Sequence, residues 1–71
     1  MTKYAIIIEK TKKNYSAYVP DLPGIAVAGN TMQQVTRRIE KAIALYIEDC
    51  KRDGDPVPKP TTRVREVSSA A

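Results

Sequence analysis

Residues 31–54 read TMQQVTRRIEKAIALYIEDCKRDG, and this stretch decides the fold because every other segment of the chain is short. Its apolar residues recur at helical spacing, at Met32, Val35, Ile39, Ala42, Ile43, Tyr46, Ile47 and Cys50. At about 100° per residue they occupy one sector about 140° wide, and charged residues lie opposite. The spacing predicts one amphipathic helix.

The sequence also predicts where this helix begins and ends. Thr31 precedes Gln34 by three residues, a spacing typical of a capping box, in which the threonine hydroxyl accepts the Gln34 backbone N–H. Gly54 follows Asp53 and can adopt the left-handed conformation that ends many helices. We therefore expect a helix over residues 31–53.

Residues 3–9 read KYAIIIE and predict the first strand, because β-branched residues follow one another between polar ends. Its two faces carry Tyr4, Ile6 and Ile8 on one side and Ala5 and Ile7 on the other. A strand covered on one face alternates more cleanly than this. We expect the second face to be covered by a loop of this chain or by another chain.

Two shorter strands are predicted over residues 15–19 and 25–28, separated by the loop PDLPG at residues 20–24. Pro23 and Gly24 suit the two central positions of a type II turn. The first two strands are joined through a polar turn and should form a hairpin.

The chain after the helix is predicted to be extended. Residues 55–60 read DPVPKP, which cannot be helical and favours polyproline II. Residues 62–67 predict a fourth strand at an edge, and residues 68–71 a disordered tail. The expected fold is α+β, with one β-β-β-α-β domain over residues 1–67. A right-handed crossover through the helix gives a mostly antiparallel sheet of order 3-2-1-4, covered on one face by the helix.

The size of the chain bounds its stability. A body of 71 residues buries only about 60% of its unfolded surface, so small scaffolds add a disulfide, a metal or a partner chain. With one cysteine and no histidine, the first two are not expected here. Cys50 lies on the apolar stripe and is interpreted as a small buried hydrophobe. A homo-oligomer, dimer or tetramer, or a tight hetero-complex is expected.

The residues for catalysis are not grouped in this sequence. Histidine is absent, the glycines stand alone, and the acidic residues are scattered, with Glu9, Asp21 and Glu40 as the candidates for a metal-dependent nuclease. We therefore predict no catalytic residue, no metal site and no cofactor, and a binding role instead. A signal-peptide core and a membrane-spanning apolar run are also missing, which makes the cytoplasm the expected compartment and membrane association unexpected.

The net charge of +4 allows an alternative interpretation. A nucleic-acid surface normally shows a basic cluster, whereas here the charge is spread along the chain. The residues that could supply such a surface are Lys10, Lys12, Lys13, Arg63 and Arg65. The alternative function is therefore a small basic nucleic-acid-binding oligomer, which requires these groups to converge on one face.

Residues 15–24, YSAYVPDLPG, with GNT at residues 29–31 and GDPVP at residues 54–58, resemble the HicB antitoxin family. The resemblance covers residues 3–60. It implies a β-β-β-α-β domain similar to a partial ribonuclease H fold without the catalytic acids. It also implies binding and inhibition of a small HicA-type RNA-cleaving toxin.

The chain departs from the family pattern at a few places. Ile25 replaces a frequent cysteine, and residues 33–35 read QQV in place of EEA. The operator-binding domain found in many members is not expected in this sequence. Solitary short members also exist, so a HicB-like protein of another role is a further alternative.

Five residues are predicted to form the oligomer or partner surface. They are apolar or aromatic residues outside the expected helix stripe: Ala5, Ile7, Tyr18, Leu22 and Leu45. Leu45 lies among charged residues of the helix, where an exposed leucine is either ordinary surface or a contact.

Overall fold

The computed structural model describes residues 2–70 and contains three strands and one helix in that part of the chain. The elements are β1 (Ile7–Lys10), β2 (Tyr15–Tyr18), β3 (Ala26–Gly29) and α1 (Met32–Asp53). The strands form an antiparallel sheet in the order β1-β2-β3, and α1 packs against β2 and β3. The α+β class is confirmed.

The helix begins and ends where the sequence predicts. The backbone N–H of Gln34 donates to the Thr31 hydroxyl at 3.0 Å, and the Gln34 side chain accepts the Asn30 N–H at 2.7 Å. At the other end Gly54 has φ 74°, and the following Asp55 N–H donates to the Cys50 carbonyl at 2.9 Å. Both ends are therefore set by local hydrogen bonds.

The core lies between the sheet and the helix. Its buried members are Ala17, Val19, Leu22, Val35 and Ile39. The partly buried residues packed against them include Tyr4, Ile6 and Ile8, so this face of the predicted first strand turns toward the core. The alternation predicted for residues 3–9 is confirmed, although the hydrogen-bonded strand begins only at Ile7.

The loop between β2 and β3 contains the predicted turn. The Ile25 N–H donates to the Leu22 carbonyl at 3.4 Å across Pro23 and Gly24, and Gly24 has φ 87°. A positive φ at the third position is what a type II turn requires. The turn directs Leu22 back toward the core.

The predicted fourth strand is wrong. Residues 62–67 form no strand in the described part of the chain, so the sheet order is 1-2-3 and not 3-2-1-4. The backbone N–H groups of Thr61 and Thr62 donate to the Asp21 side chain instead of to a neighbouring strand. Val64 and Val67 remain exposed, so little apolar surface would favour such a strand. Residues 1 and 71, the outer ends of the predicted domain and tail, lie outside the described residues.

Candidate interaction surface

The strand register separates the two faces of the sheet. Ile8 pairs with Ala17, which pairs with Val27, and these three side chains belong to the core or pack against it. The residues of the alternate positions therefore point away from the helix. We call this surface the outer face; its members are Ile7, Glu9, Ser16, Tyr18, Ala26 and Ala28.

The outer face contains two cross-strand rows of different polarity. One row pairs Ile7 with Tyr18 and Tyr18 with Ala26 and is apolar apart from the tyrosine hydroxyl. The second row, one pleat further, consists of Glu9, Ser16 and Ala28. Side chains directly opposite on neighbouring strands contact one another, so the first row forms one continuous apolar strip.

This apolar strip is accessible to solvent. Tyr18 is 43% exposed although it is one of the largest side chains of the sheet. Ala26 is exposed and Ile7 is half-buried. The helix lies on the opposite face, against β2 and β3. An accessible aromatic and aliphatic strip of this kind is a chemically suitable protein contact.

The five residues predicted for a contact surface fall into three places. Ile7 and Tyr18 are direct cross-strand partners on the outer face, and Ala5, two residues before Ile7, is half-buried outside the strand ladder. Leu45 is 53% exposed but belongs to the helix, away from the outer face. Leu22 is 0% exposed and is part of the core, so it is not available to a partner.

Two alanines of β3 complete the outer face and were missed from the sequence. Ala26 and Ala28 flank the core-facing Val27 and are exposed. The alternation in residues 26–29 carries that signal, but alanine contributes too little apolar area to stand out.

The basic residues that the nucleic-acid alternative requires form two groups, which are attached near opposite ends of β2. Lys10 ends β1, with its ammonium 5.9 Å from the Tyr15 ring centroid, and Lys12 and Lys13 are exposed in the turn before β2. The two arginines lie beyond Thr62, which is bonded to Asp21 in the loop after β2. No contact between the two basic groups is among those found in residues 2–70. The geometry does not favour one basic surface.

Asp21 accepts four hydrogen bonds from a segment about 40 positions away in the sequence. Its Oδ2 accepts the backbone N–H groups of Thr61 and Thr62, each at 3.0 Å, and its Oδ1 accepts their hydroxyls at 2.9 and 2.8 Å. The backbone N–H of Thr62 is the largest cause of a lowered Asp21 pKa, followed by the Thr62 hydroxyl. Donors that bond the ionised carboxylate favour the charged form.

These bonds attach residues 55–62, here called the strap, to the body of the domain. The strap has a second attachment, where the Tyr4 hydroxyl donates to the Pro58 carbonyl at 2.5 Å. Val57 and Pro58 are half-buried. The strap therefore links the end of the helix to the segment before β1 and to the loop after β2.

The described residues contain neither a cluster for metal binding nor a membrane-spanning helix. Residues 2–70 bring no three His, Cys, Asp or Glu side chains together as a metal would require. Cys50 is a free, half-buried thiol. Within the same residues, no helix has the length and apolar character needed to cross a membrane.

Comparisons with known proteins identify relatives over most of the chain. Residues 4–70 match the family described as "HicB_like antitoxin of bacterial toxin-antitoxin system". A UPF0150 protein of Thermoplasma acidophilum is 36% identical over 80% of this chain and 84% of its own length, and a UPF0150 protein of Synechocystis is 35% identical over 92% and 84%. A 14.9 kDa protein from the rep-hol intergenic region of Haemophilus phage HP1 is 38% identical over 79% of this chain, which spans 42% of that protein. No solved structure matches the chain.

Proposed function

This chain belongs to the HicB-like antitoxin family, and from that premise we propose that it is a non-enzymatic, antitoxin-like module that binds and sequesters a small HicA-type RNA-cleaving toxin. The observation that carries the proposal is the solvent-accessible apolar strip on the outer face, in which Tyr18 and Ala26 are exposed and Ile7 is half-buried. The cytoplasm is the proposed compartment, and the likeness to part of a ribonuclease H fold stays a prediction.

The strip has the features of a contact centre. Tyrosine is enriched among the residues that contribute most to protein interfaces, because it buries a large ring and still offers a hydroxyl for hydrogen bonding. Tyr18 lies on the central strand, so a partner that covers it also reaches Ile7 on one side and Ala26 on the other. Glu9 and Ser16 supply a polar margin on the next row.

We also propose that copies of the chain associate through this outer face, as a dimer or tetramer. A domain of this size gains stability by burying surface against another chain. The outer face is the side of the sheet that the helix leaves accessible. Self-association and toxin binding through one face would compete, and that competition can be measured.

The test compares two exposed large side chains of similar accessibility. Tyr18 on the outer face is 43% exposed and Met32 at the start of the helix is 49% exposed. The full chain, Tyr18→Glu and Met32→Glu are each co-expressed with a small histidine-containing toxin candidate encoded beside the chain's own gene. Complex formation is measured by pull-down and binding affinity by calorimetry, and the mass of each free chain by light scattering.

We expect Tyr18→Glu to lose toxin binding and self-association, because a carboxylate would be desolvated at the centre of the contact. Met32→Glu should retain both. Equal behaviour of the two variants would reject the outer face, and failure of the unaltered chain to bind the toxin candidate would count against the antitoxin function.

The nucleic-acid alternative can be tested on the same purified protein by measuring how its affinity for nucleic acid depends on salt. Binding through Lys10, Lys12, Lys13, Arg63 and Arg65 would produce an affinity that falls steeply with salt. We expect no such binding from the unaltered chain.

A further inference from the structure

We propose that Asp21 is a charge-dependent latch that holds the strap on the body of the domain. Its carboxylate accepts four hydrogen bonds from two consecutive threonines, Thr61 and Thr62. All four bonds lie within this chain, so the latch needs no toxin. It is a conformational device that sets the position of the strap.

The four bonds match the acceptor capacity of an ionised carboxylate. Each oxygen accepts two donors, with the two backbone N–H groups on Oδ2 and the two hydroxyls on Oδ1. An ionised carboxylate offers about four acceptor positions and no donor. Protonation would place an O–H among four donors, so at least one bond must be lost or reversed. The neutral acid would also lose the charge assistance that shortens and strengthens such bonds.

The strap has few other means of attachment. Prolines at positions 56, 58 and 60 carry no backbone N–H, and no strap residue joins the sheet. After Asp55 at the helix end, its hydrogen bonds to the rest of the described chain are those of Pro58 with Tyr4 and of the two threonines with Asp21. Asp21 thus supplies most of the bonds that fix the strap.

The charge of Asp21 is balanced by hydrogen-bond donors and not by a cation. The ion pairs found in residues 2–70 join Arg52 to Asp49 and to Asp53, both at the end of the helix. Lys59 and Arg63 flank the threonines in sequence, but both side chains are exposed. The groups that face the carboxylate are the neutral N–H and O–H donors of the strap, so its ionisation and strap docking are coupled directly.

The consequence is a latch that is closed while Asp21 is ionised and opens when its carboxylate is protonated. Opening would free the backbone N–H and hydroxyl groups of Thr61 and Thr62 from Asp21. Among residues 2–70, the bond between Tyr4 and Pro58 would then be the remaining hydrogen bond that holds the strap beyond Asp55. A change at one side chain in the loop after β2 would therefore change how the end of the strap is held.

The test uses nuclear magnetic resonance on the full chain. The amide proton shifts of Thr61 and Thr62 and the carboxyl carbon shift of Asp21 are followed from neutral to acidic pH, together with amide exchange protection at neutral pH. Three variants are compared with the unaltered chain: Asp21→Ala, Asp21→Asn and, as a matched control, Asp49→Asn, which removes a carboxylate of the helix end.

We expect both threonine amides to titrate together with the Asp21 carboxyl, and Asp49→Asn to leave that titration unchanged. Asp21→Ala should reduce the protection of both amides by about tenfold or more. A reoriented Asp21→Asn amide can still accept two N–H groups and donate to two hydroxyl oxygens, so this variant should keep the fold and abolish the titration.

Two results would overturn the latch. One is unchanged protection of Thr61 and Thr62 in Asp21→Ala, which would mean that the strap is held by other contacts. The other is an Asp21 titration that leaves the two threonine amides unaffected in the unaltered chain. Because toxin is absent from these measurements, either result is independent of the proposed antitoxin function.

Discussion

The carboxylate of Asp21 accepts both the backbone N–H of Thr62, at 3.0 Å, and its hydroxyl, at 2.8 Å, across 41 positions of the sequence. This relationship joins the loop after β2 to the end of the strap. It makes one acidic side chain responsible for a long-range contact of the folded state. Folding should therefore respond to the protonation of that side chain.

The first prediction concerns the pH dependence of stability. The bonds from Thr62 and then Thr61 hold the folded-state pKa of Asp21 below its ordinary value of 3.8. The unfolded chain thus binds a proton before the folded chain does, so this contribution to stability is present above pH 3.8 and is lost as the pH falls through the lowered pKa. Thermal unfolding of the unaltered chain and of Asp21→Asn, at equal protein concentration, measures it.

We expect the acid-induced drop in melting temperature to be smaller in Asp21→Asn than in the unaltered chain. Asp49→Asn serves as the control, because the Asp49 carboxylate is paired with Arg52 at the exposed helix end. Parallel pH curves for the unaltered chain and Asp21→Asn would contradict the prediction.

The second prediction concerns the close approach of the helix to the sheet at Gly29. A Cβ at this buried position would lie 2.8 Å from the Val35 backbone nitrogen and 3.1 Å from its Cα. The obstacle is backbone in the first turn of the helix, so it cannot be relieved by a side-chain rotation. We expect Gly29→Ala to lower the free energy of unfolding by about 1 to 3 kcal/mol.

The control for this steric effect is Gly54→Ala. A Cβ at Gly54 meets no atom within 4 Å, and the cost there comes only from its φ of 74°. That left-handed conformation costs a non-glycine residue about 1 to 2 kcal/mol. A side chain of larger volume should therefore add further loss at Gly29, as in Gly29→Leu, but little further loss at Gly54, as in Gly54→Leu. Denaturant unfolding of Gly29→Ala, Gly29→Leu, Gly54→Ala and Gly54→Leu separates the two causes.

The third prediction concerns the helix N-terminus. The Thr31 hydroxyl accepts the Gln34 N–H at 3.0 Å. Thr31→Ala should cost about 1 kcal/mol, and Thr31→Ser should retain most of that contribution. Thr36→Ala is the matched control, since the Thr36 hydroxyl donates to the Met32 carbonyl inside the helix at 2.7 Å and its removal should be neutral or slightly stabilising. Chemical denaturation should show a loss of stability for Thr31→Ala and no loss for Thr36→Ala.

The helix, and the face of the first strand that turns toward the core, could be predicted because their sequence signals are local. The spacing of apolar residues, the Thr31 cap and Gly54 involve only neighbours within a turn or two. The alternation of residues 3–9 likewise determines which side chains turn toward the core, since the period of a strand is two. The same local reasoning predicted the turn at Pro23 and Gly24.

The fourth strand could not be judged in this way. Thr62, the first residue of the predicted strand, donates its backbone N–H to Asp21, which is 41 positions away in the sequence. Residues 62–67 have a composition that is compatible with a strand whether or not the strand forms. The competition between a carboxylate and a strand edge is a property of the assembled fold, and residue pattern alone does not decide it.

The position of Leu22 could not be predicted from the local sequence either. Between two prolines in a loop it resembles an exposed residue, and the sequence placed it among the contact candidates. In the fold its N–H donates to the Val19 carbonyl at 3.1 Å, and the turn that follows brings its side chain into the core. Loop residues are usually at the surface, so this inward direction required the three-dimensional structure.

The last prediction uses two leucines that the sequence analysis treated alike. Leu22 is 0% exposed and Leu45 is 53% exposed. Leu22→Ala removes core volume and should lower the free energy of unfolding by about 2 to 5 kcal/mol, whereas Leu45→Ala should change it by about 0.5 kcal/mol or less. Urea unfolding at a fixed protein concentration measures both, and light scattering on the same samples shows whether Leu45→Ala alters assembly. A large stability loss in Leu45→Ala together with a fall in mass would place Leu45 in a subunit contact, and a loss in Leu22→Ala below about 1 kcal/mol would contradict its position in the core.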